Sequence, residues 1–250
     1  MDSRWSWSWT SAFVVVVVVL VLGVLVSGIR FRDGTTADIG ISSKGTGIHI
    51  STLHPQFLPS VGKKHHSSPP NRLVIIGDVH GMKDQLSLLL RKIEFNSRAD
   101  HLILTGDIID KGPDSKGVVD LVMGLGEKAS CVMGNHEFKA IRQQRDWLLA
   151  MGDRRIRWLE SCPHILRVGR LGAMGEVVVV HAGLEPGRKL ERQRPRDVMN
   201  MRVIDKHGTP DSRKEGVDWF EVLEAPPTPL IRSSALKILG GQWLTTYVSM

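Results

Sequence analysis

The chain reads as an α/β protein, with a mainly parallel sheet and helices packed on it, preceded by an N-terminal transmembrane helix. Three observations predict this. From Arg72 onward short apolar runs alternate with helical periodicities, the pattern of successive strand–helix units. Clusters of Gly, Asp, Asn and His directly follow those runs, where an open sheet gathers its functional groups. And from Ala12 to Ile29 the sequence is almost wholly apolar, without a charge before Arg30, close to the roughly 18–20 residues that cross a bilayer.

In chain order, residues 1–11 are an N-terminal flank whose Trp5, Trp7 and Trp9 resemble an interfacial aromatic belt, and Arg30 and Arg32 close the 12–29 span with charge. A single-pass membrane anchor is the expectation. A cleaved signal peptide is its rival, because Val26-Ser27-Gly28 offers small residues, although the apolar run is longer than an h-region of about 7–15 residues. Orientation stays open, since only Arg4 and the amino terminus precede the span. Residues 30–71 are Gly, Ser, Thr, His and Pro with little periodicity and read as a linker. His65 and His66 lie there without companion ligands.

Residues 72–205 form the expected core. Strands are predicted at 73–76, 101–104, 130–133 and 176–180, each a short, largely apolar run of the kind buried on both faces. Leu86, Leu89, Leu90 and Ile93 put one apolar face on a helix over 84–95. Further helices are predicted over 115–123 and from near His136. Cys131 and Cys162 are too few for a disulfide framework and are read as unpaired structural thiols. Residues 206–250, with Pro226, Pro227 and Pro229, read as an atypical or truncated C-terminal part.

The composition, 42% hydrophobic and 24% charged over 250 residues, excludes disordered and fibrous classes. A formal charge of +7 favours polyanionic partners: phosphate chains, nucleic acid or an anionic membrane surface. Basic residues concentrate at Arg142, Arg145, Arg154, Arg155 and Arg157, and again at Arg188, Lys189, Arg192, Arg194 and Arg196. The first group suits a solvated helix face. The second follows His181 and could equally border a cleft.

Four motifs carry the chemistry: Gly77-Asp78-Val79-His80-Gly81, Gly106-Asp107-Ile108-Ile109-Asp110, Gly134-Asn135-His136-Glu137 and His181-Ala182-Gly183-Leu184. One Gly-Asp after a strand is often only a turn in which Asp binds backbone amides. Several in succession, with imidazoles, place carboxylates, nitrogen donors and an amide together as a pair of divalent ions requires. The mixed donors suit Zn, Mn or Fe better than Ca or Mg. Hydrolysis of a phosphate ester or anhydride is the reaction this set implies.

The order Gly-Asp-Val-His-Gly, Gly-Asp-Ile-Ile-Asp-Lys-Gly-Pro, Gly-Asn-His-Glu, His-Ala-Gly-Leu-Glu-Pro-Gly resembles the calcineurin-like metallophosphoesterases. It is similar to their phosphoprotein phosphatase superfamily, which includes protein Ser/Thr phosphatases and diadenosine tetraphosphatases. Lys111-Gly112-Pro113-Asp114-Ser115 and Asn200-Met201-Arg202 resemble the eukaryotic diadenosine-tetraphosphatase-like branch, with its endopolyphosphatases and cap-cleaving enzymes.

The resemblance implies a sandwich of central β-sheets flanked by helices, and two divalent metal ions (Mn, Zn or Fe). Asp78, His80 and Asp107 would hold the first ion, and Asp107, Asn135 and His181 the second. His136 would protonate the leaving oxygen, with Asp110 orienting its ring, while Lys111 and Arg202 would clamp phosphate oxygens.

The family's further metal-binding histidine, after a late strand, has no counterpart: after Arg202 only His207 occurs, in a turn. The expectation is therefore a second ion with fewer ligands and an exposed sheet edge. In sum, the sequence predicts a membrane-anchored phosphohydrolase acting on polyphosphate or dinucleoside polyphosphate, with nucleic acid entering only as a substrate. The alternatives are a protein Ser/Thr phosphatase or a catalytically impaired polyanion-binding module. A vacuolar or other lumenal location follows if the chain beyond Arg30 is lumenal. Oligomeric state stays open.

Overall fold

The computed structural model describes residues 14–17, 47–59, 72–212, 215–224 and 236–240. The elements run β1 (Val14–Val17), β2 (Ile50–Thr52), β3 (Arg72–Ile76), α1 (Lys83–Lys92), β4 (Asp100–Leu104), α2 (Ser115–Gly124), β5 (Ala129–Cys131) and α3 (Asn135–Arg142). They continue with α4 (Asp146–Leu149), α5 (Asp153–Ser161), β6 (Ile165–Arg170), β7 (Glu176–Val180) and α6 (Pro195–Asn200). After these come β8 (Val203–Ile204), β9 (Pro210–Asp211), β10 (Val217–Asp218), α7 (Trp219–Glu224) and β11 (Leu236–Gly240).

Two four-stranded sheets carry the architecture. The first, ordered β1-β3-β4-β5, is parallel throughout. The second, ordered β11-β7-β6-β2, is mixed, because β6 and β7 pair antiparallel. A small antiparallel sheet, β10-β8-β9, follows.

The side-chain alternation of the strands sorts the core into layers. Leu73, Ile75, Ile103 and Val132 face Leu166, Val168, Val177 and Val179, so the two sheets pack face to face. The alternate residues Val74, Ile76, Leu102 and Leu104 meet Leu86, Val118, Val122 and Leu159 from α1, α2 and α5. On the far side Ile165, Val178 and Val180 pack with Leu184 and Val198. The sandwich of β-sheets with flanking helices expected from the resemblance is therefore present, where the strand–helix alternation alone implies one mainly parallel sheet.

Three expectations meet a different outcome. The segment read as a linker contributes β2, which pairs in parallel with β6, and buries Leu53 and Phe57 between the sheets. Three residues are too few to show a period, which is why the strand is silent in the sequence. The atypical C-terminal part contributes β11, which pairs in parallel with β7 so that Gly240 lies opposite Val180; the edge of β7 is covered. Of the 12–29 segment, the described residues Val14–Val17 are a strand beside β3, with Val17 opposite Ile76. The rest of that predicted membrane helix lies outside the described residues, and so do the flank 1–11 and His65 and His66. No helix among the described residues is long and apolar enough to cross a membrane.

The third concerns the cysteines. Cys131, the last residue of β5, is disulfide-bonded to Cys162 at the C-terminal end of α5, with Cα atoms 5.4 Å apart. The pairing is tertiary: the residues are 31 apart in sequence, and spacing alone does not disclose it. Beside it, the Met133 amide donates to the Pro163 carbonyl at 2.8 Å. Closing a loop of 31 residues constrains the unfolded chain by about 3–4 kcal/mol. Replacing both cysteines by serine is therefore expected to lower the unfolding free energy by about that much, measured by urea titration. An unchanged midpoint would show that the cross-link adds no stability.

Candidate metal centre

The strands deliver their polar motifs to one rim. β3 ends at Ile76, immediately before Asp78 and His80; β4 ends at Leu104, before Asp107, Asp110 and Lys111; β5 leads to Asn135 and His136 at the start of α3. These come from the first sheet, whereas His181 follows β7 of the second. The loops turn sharply. His80, Asp107, Asp110 and Lys111 all have left-handed backbone, with φ of 47°, 48°, 73° and 63°, a conformation that non-glycine residues hold only under surrounding constraint. Two glycines permit the close approach. A Cβ on Gly134 would lie 2.3 Å from the Asp107 amide nitrogen, and one on Gly106 2.9 Å from His181 Nδ1.

The constraint on the Asp107 loop is Glu137. Its side chain is fully buried and accepts four backbone hydrogen bonds: from Asp107 (2.8 Å) and Gly134 (3.0 Å) on Oε2, and from Ile108 (2.8 Å) and Ile109 (3.1 Å) on Oε1. Burial and the nearby Asp107 carboxylate push its carboxyl up to about 7, and the backbone donors pull the other way. In the sequence Glu137 stands within the third motif without an assigned role. The only local sign is its place three residues after Gly134, where a glutamate caps a helix start.

Three imidazoles share one arrangement. His181 donates from Nδ1 to the Thr105 carbonyl (2.9 Å), His80 from Nδ1 to the Ile109 carbonyl (3.3 Å), and His136 from Nδ1 to Asp110 Oδ2 (2.8 Å). Each therefore turns Nε2 toward the Asp107 carboxylate. His80 Nε2 lies 3.6 Å from Oδ2, His136 Nε2 3.8 Å from Oδ2, and His181 Nε2 3.5 Å from Oδ1. Outward Nδ1–H bonds of this kind fix the tautomer of metal-binding histidines.

Two clusters result, each with ligand atoms within 4.8 Å of one another: His80, Asp107 and His136, and Asp78, Asp107 and His181. Asp107 belongs to both. The grouping differs from the expected one in that Asp78 sits with His181 and His136 sits with His80. Asn135 joins the second cluster through Oδ1, 3.0 Å from His181 Nε2.

This donor set fits cations. Asp78 Oδ1 is buried with no hydrogen-bond partner among the described residues. The Asn135 oxygen faces only acceptors, and without an ion hydrogen bonding favours the amide turned around, its nitrogen donating to Asp107 and His181. Burial, reinforced by Asp107, pushes the Asp78 carboxyl up to about 6 despite the attraction of His181. Burial likewise lowers His80 against the pull of Asp107. A divalent ion reverses these penalties, since it favours deprotonated ligands.

Of the remaining predicted residues, Asp110 is held below the usual carboxylate range. Its partial burial acts upward, but the bond to His136, the Lys111 amide and the charges of His136 and Arg145 outweigh it. Lys111 Nζ reaches 2.8 Å from His80 Nε2, inside the cluster's edge. Arg202 is not brought to the centre by any described contact; its backbone bonds to Asp211 and Trp219 between α6 and β8.

In the first basic group Arg155 is tied to Asp120 on α2 by two bonds of 2.7 and 2.8 Å. In the second, Arg188 pairs with Glu185 at 2.7 Å and Arg194 with Asp197. Arg188, Lys189 and Arg192 line an open cavity of about 580 Å³.

Comparison with known proteins agrees with this geometry. Residues 71–243 match the calcineurin-like phosphoesterase family. The symmetrical bis(5'-nucleosyl)-tetraphosphatase of Nitrosococcus oceani is 36% identical over 124 residues, 44% of this chain and 43% of the relative. That of Klebsiella pneumoniae is 35% identical over 139 residues, 50% of this chain and 48% of the relative. The chain thus spans less than half the length of these curated relatives. A crystal structure provisionally named a diadenosine tetraphosphatase superposes with a TM-score of 0.59 at 28% identity, covering 78% of this chain and 88% of that one. With the motifs, the sandwich and the family match over most of its length, the chain belongs to the calcineurin-like phosphoesterases.

Proposed function

We propose that the chain is a metal-dependent phosphohydrolase that cleaves phosphoanhydride bonds of a dinucleoside polyphosphate or of inorganic polyphosphate. The observation that carries this reading is the pair of ligand clusters sharing Asp107, the arrangement a two-ion site requires. Divalent ions in such a site polarise phosphoryl oxygens and acidify a nucleophilic water; the nitrogen and oxygen donors suit Mn, Zn or Fe.

The chain's own residues supply the rest. Asp78, His80, Asp107, Asn135 and His181 would hold the ions. His136 holds a proton at Nε2 while Nδ1 stays bonded to Asp110 at 2.8 Å, so that the carboxylate supports the imidazolium that protonates the leaving oxygen. The Lys111 ammonium offsets charge that develops on the phosphoryl group. Arg202 is assigned to phosphate binding only through its family resemblance.

We also propose that residues 12–29 anchor the chain as a single-pass membrane protein with its catalytic part on a lumenal, vacuole-like side, an arrangement that requires Val14–Val17 to leave the strand position beside β3. The Cys131–Cys162 bond supports that side, since disulfides persist in oxidising compartments.

The test is product release by the full chain after chelation and again after adding Mn or Zn. The substrates are diadenosine tetraphosphate, long-chain polyphosphate and a phosphoserine peptide. Metal-dependent release from the anhydrides, with little from the peptide, is expected. Preference for the peptide would make it a protein phosphatase, and binding without release from any substrate would make it a polyanion-binding module.

A further inference from the structure

We infer that the cavity beside Asp110 is a nucleoside subsite that takes the base and ribose of a nucleotide substrate; this rests on the phosphohydrolase reading above. The cavity, about 490 Å³, is lined among others by Asp110, Lys111, Pro113, Lys116, Trp147 and Met151, and lies in the size range of small-molecule sites.

Its position relative to the centre is set by one hydrogen bond. Asp110 both lines the cavity and accepts from His136 Nδ1 at 2.8 Å, so the cavity opens one side chain away from the proton donor. Lys111 also lines the cavity and reaches 2.8 Å from His80 Nε2, so the cavity borders the ligand clusters and a group attached to a bound phosphate can extend toward Trp147.

The lining chemistry selects what that group is. Trp147, on α4, packs against the helix-side core yet remains partly exposed, and its indole makes no hydrogen bond to the described residues. Met151 adds a polarisable thioether, and Lys111 and Lys116 add cations at the rim. A flat aromatic surface flanked by lysines suits a base with phosphates attached, through stacking and charge. A bare phosphate chain needs only cations, such as those around the second cavity at Arg188, Lys189 and Arg192, and gains nothing from an indole.

The test compares equilibrium binding of ADP and of pyrophosphate to the full chain with Mn present, by calorimetry. ADP is expected to bind more tightly, and Trp147→Ala to weaken ADP by roughly tenfold, within the range that loss of one stacked base produces, while leaving pyrophosphate unchanged. Trp147→Phe should retain most of the ADP affinity. Because Trp147 also touches the core, Ala150→Trp provides a second probe: Ala150 is exposed and lines the same cavity, and a bulky ring there should exclude ADP but not pyrophosphate.

Equal affinity of the wild-type chain for ADP and pyrophosphate would overturn the subsite. So would equal weakening of both ligands by Trp147→Ala together with no effect of Ala150→Trp. If the hydrolytic reading alone fails, no substrate is turned over but the difference between ADP and pyrophosphate persists, so the two failures are distinguishable.

Discussion

Asp107→Asn is expected to abolish metal-dependent phosphate release while leaving the fold as stable as before or slightly more so. Asp107 is 1% exposed, sits in both ligand clusters, and has an imidazole Nε2 within 3.8 Å of each of its oxygens. The amide removes the charge that both ions share. It also introduces two N–H donors among crowded lone pairs. The new amide can then donate to an unprotonated imidazole Nε2 that faces it, and the site no longer requires a cation to be satisfied. Repulsion of the Asp78 and Glu137 carboxylates, which Asp107 pushes upward, is relieved as well. The loss of activity should exceed the roughly 10–100-fold that follows from losing contacts outside the ligand shell. Bound metal per chain, turnover and melting temperature, measured together, decide the matter. A variant that keeps its metal and its rate would remove Asp107 from the centre.

The second large effect is expected at a residue that touches no substrate. Glu137→Ala leaves the amides of Asp107, Ile108, Ile109 and Gly134 without their acceptor. Each buried unsatisfied donor costs about 1–3 kcal/mol, and some of that is recovered by relaxation or water. A net loss of about 3–5 kcal/mol is expected, typical of breaking a buried charged network. Because three of the freed amides belong to the loop that carries Asp107 and Asp110, metal affinity should fall with stability. Glu137→Gln, which keeps one oxygen acceptor but presents N–H groups to amides, should be intermediate in both. Urea unfolding and metal titration of the same preparations provide the readout, and wild-type values in Glu137→Ala would show that the loop holds its shape unaided.

How much of this is visible in the sequence follows from the range of each interaction. β3, β4 and β7 contain short apolar runs, β5 leads into one at Cys131–Met133, and α1 and α2 show a clean helical stripe, so local pattern locates them within a few residues. β6 escapes such a reading because its alternation is broken at Gly169, where the register with β7 shifts. β2 and β11 depend on partners far along the chain. The same division holds in the site: Asp78, His80, Asp107, Asn135, His136 and His181 announce themselves by following strands. The grip of Glu137 on a loop about thirty residues earlier has no local mark, nor does the cross-link between Cys131 and Cys162.

The two ligand clusters differ in their mechanical footing. His80, Asp107 and His136 all ride on loops of the parallel sheet, so that cluster moves as one body. The other is stretched between bodies, because His181 belongs to the opposite sheet while Asp78 and Asp107 do not. Any sliding of one sheet over the other, across the contact of Leu73 and Ile75 with Val177 and Val179, changes the second cluster and spares the first. Ions bound there would be held with unequal compliance: one by the geometry of a single sheet, the other by how firmly the halves of the sandwich are locked together.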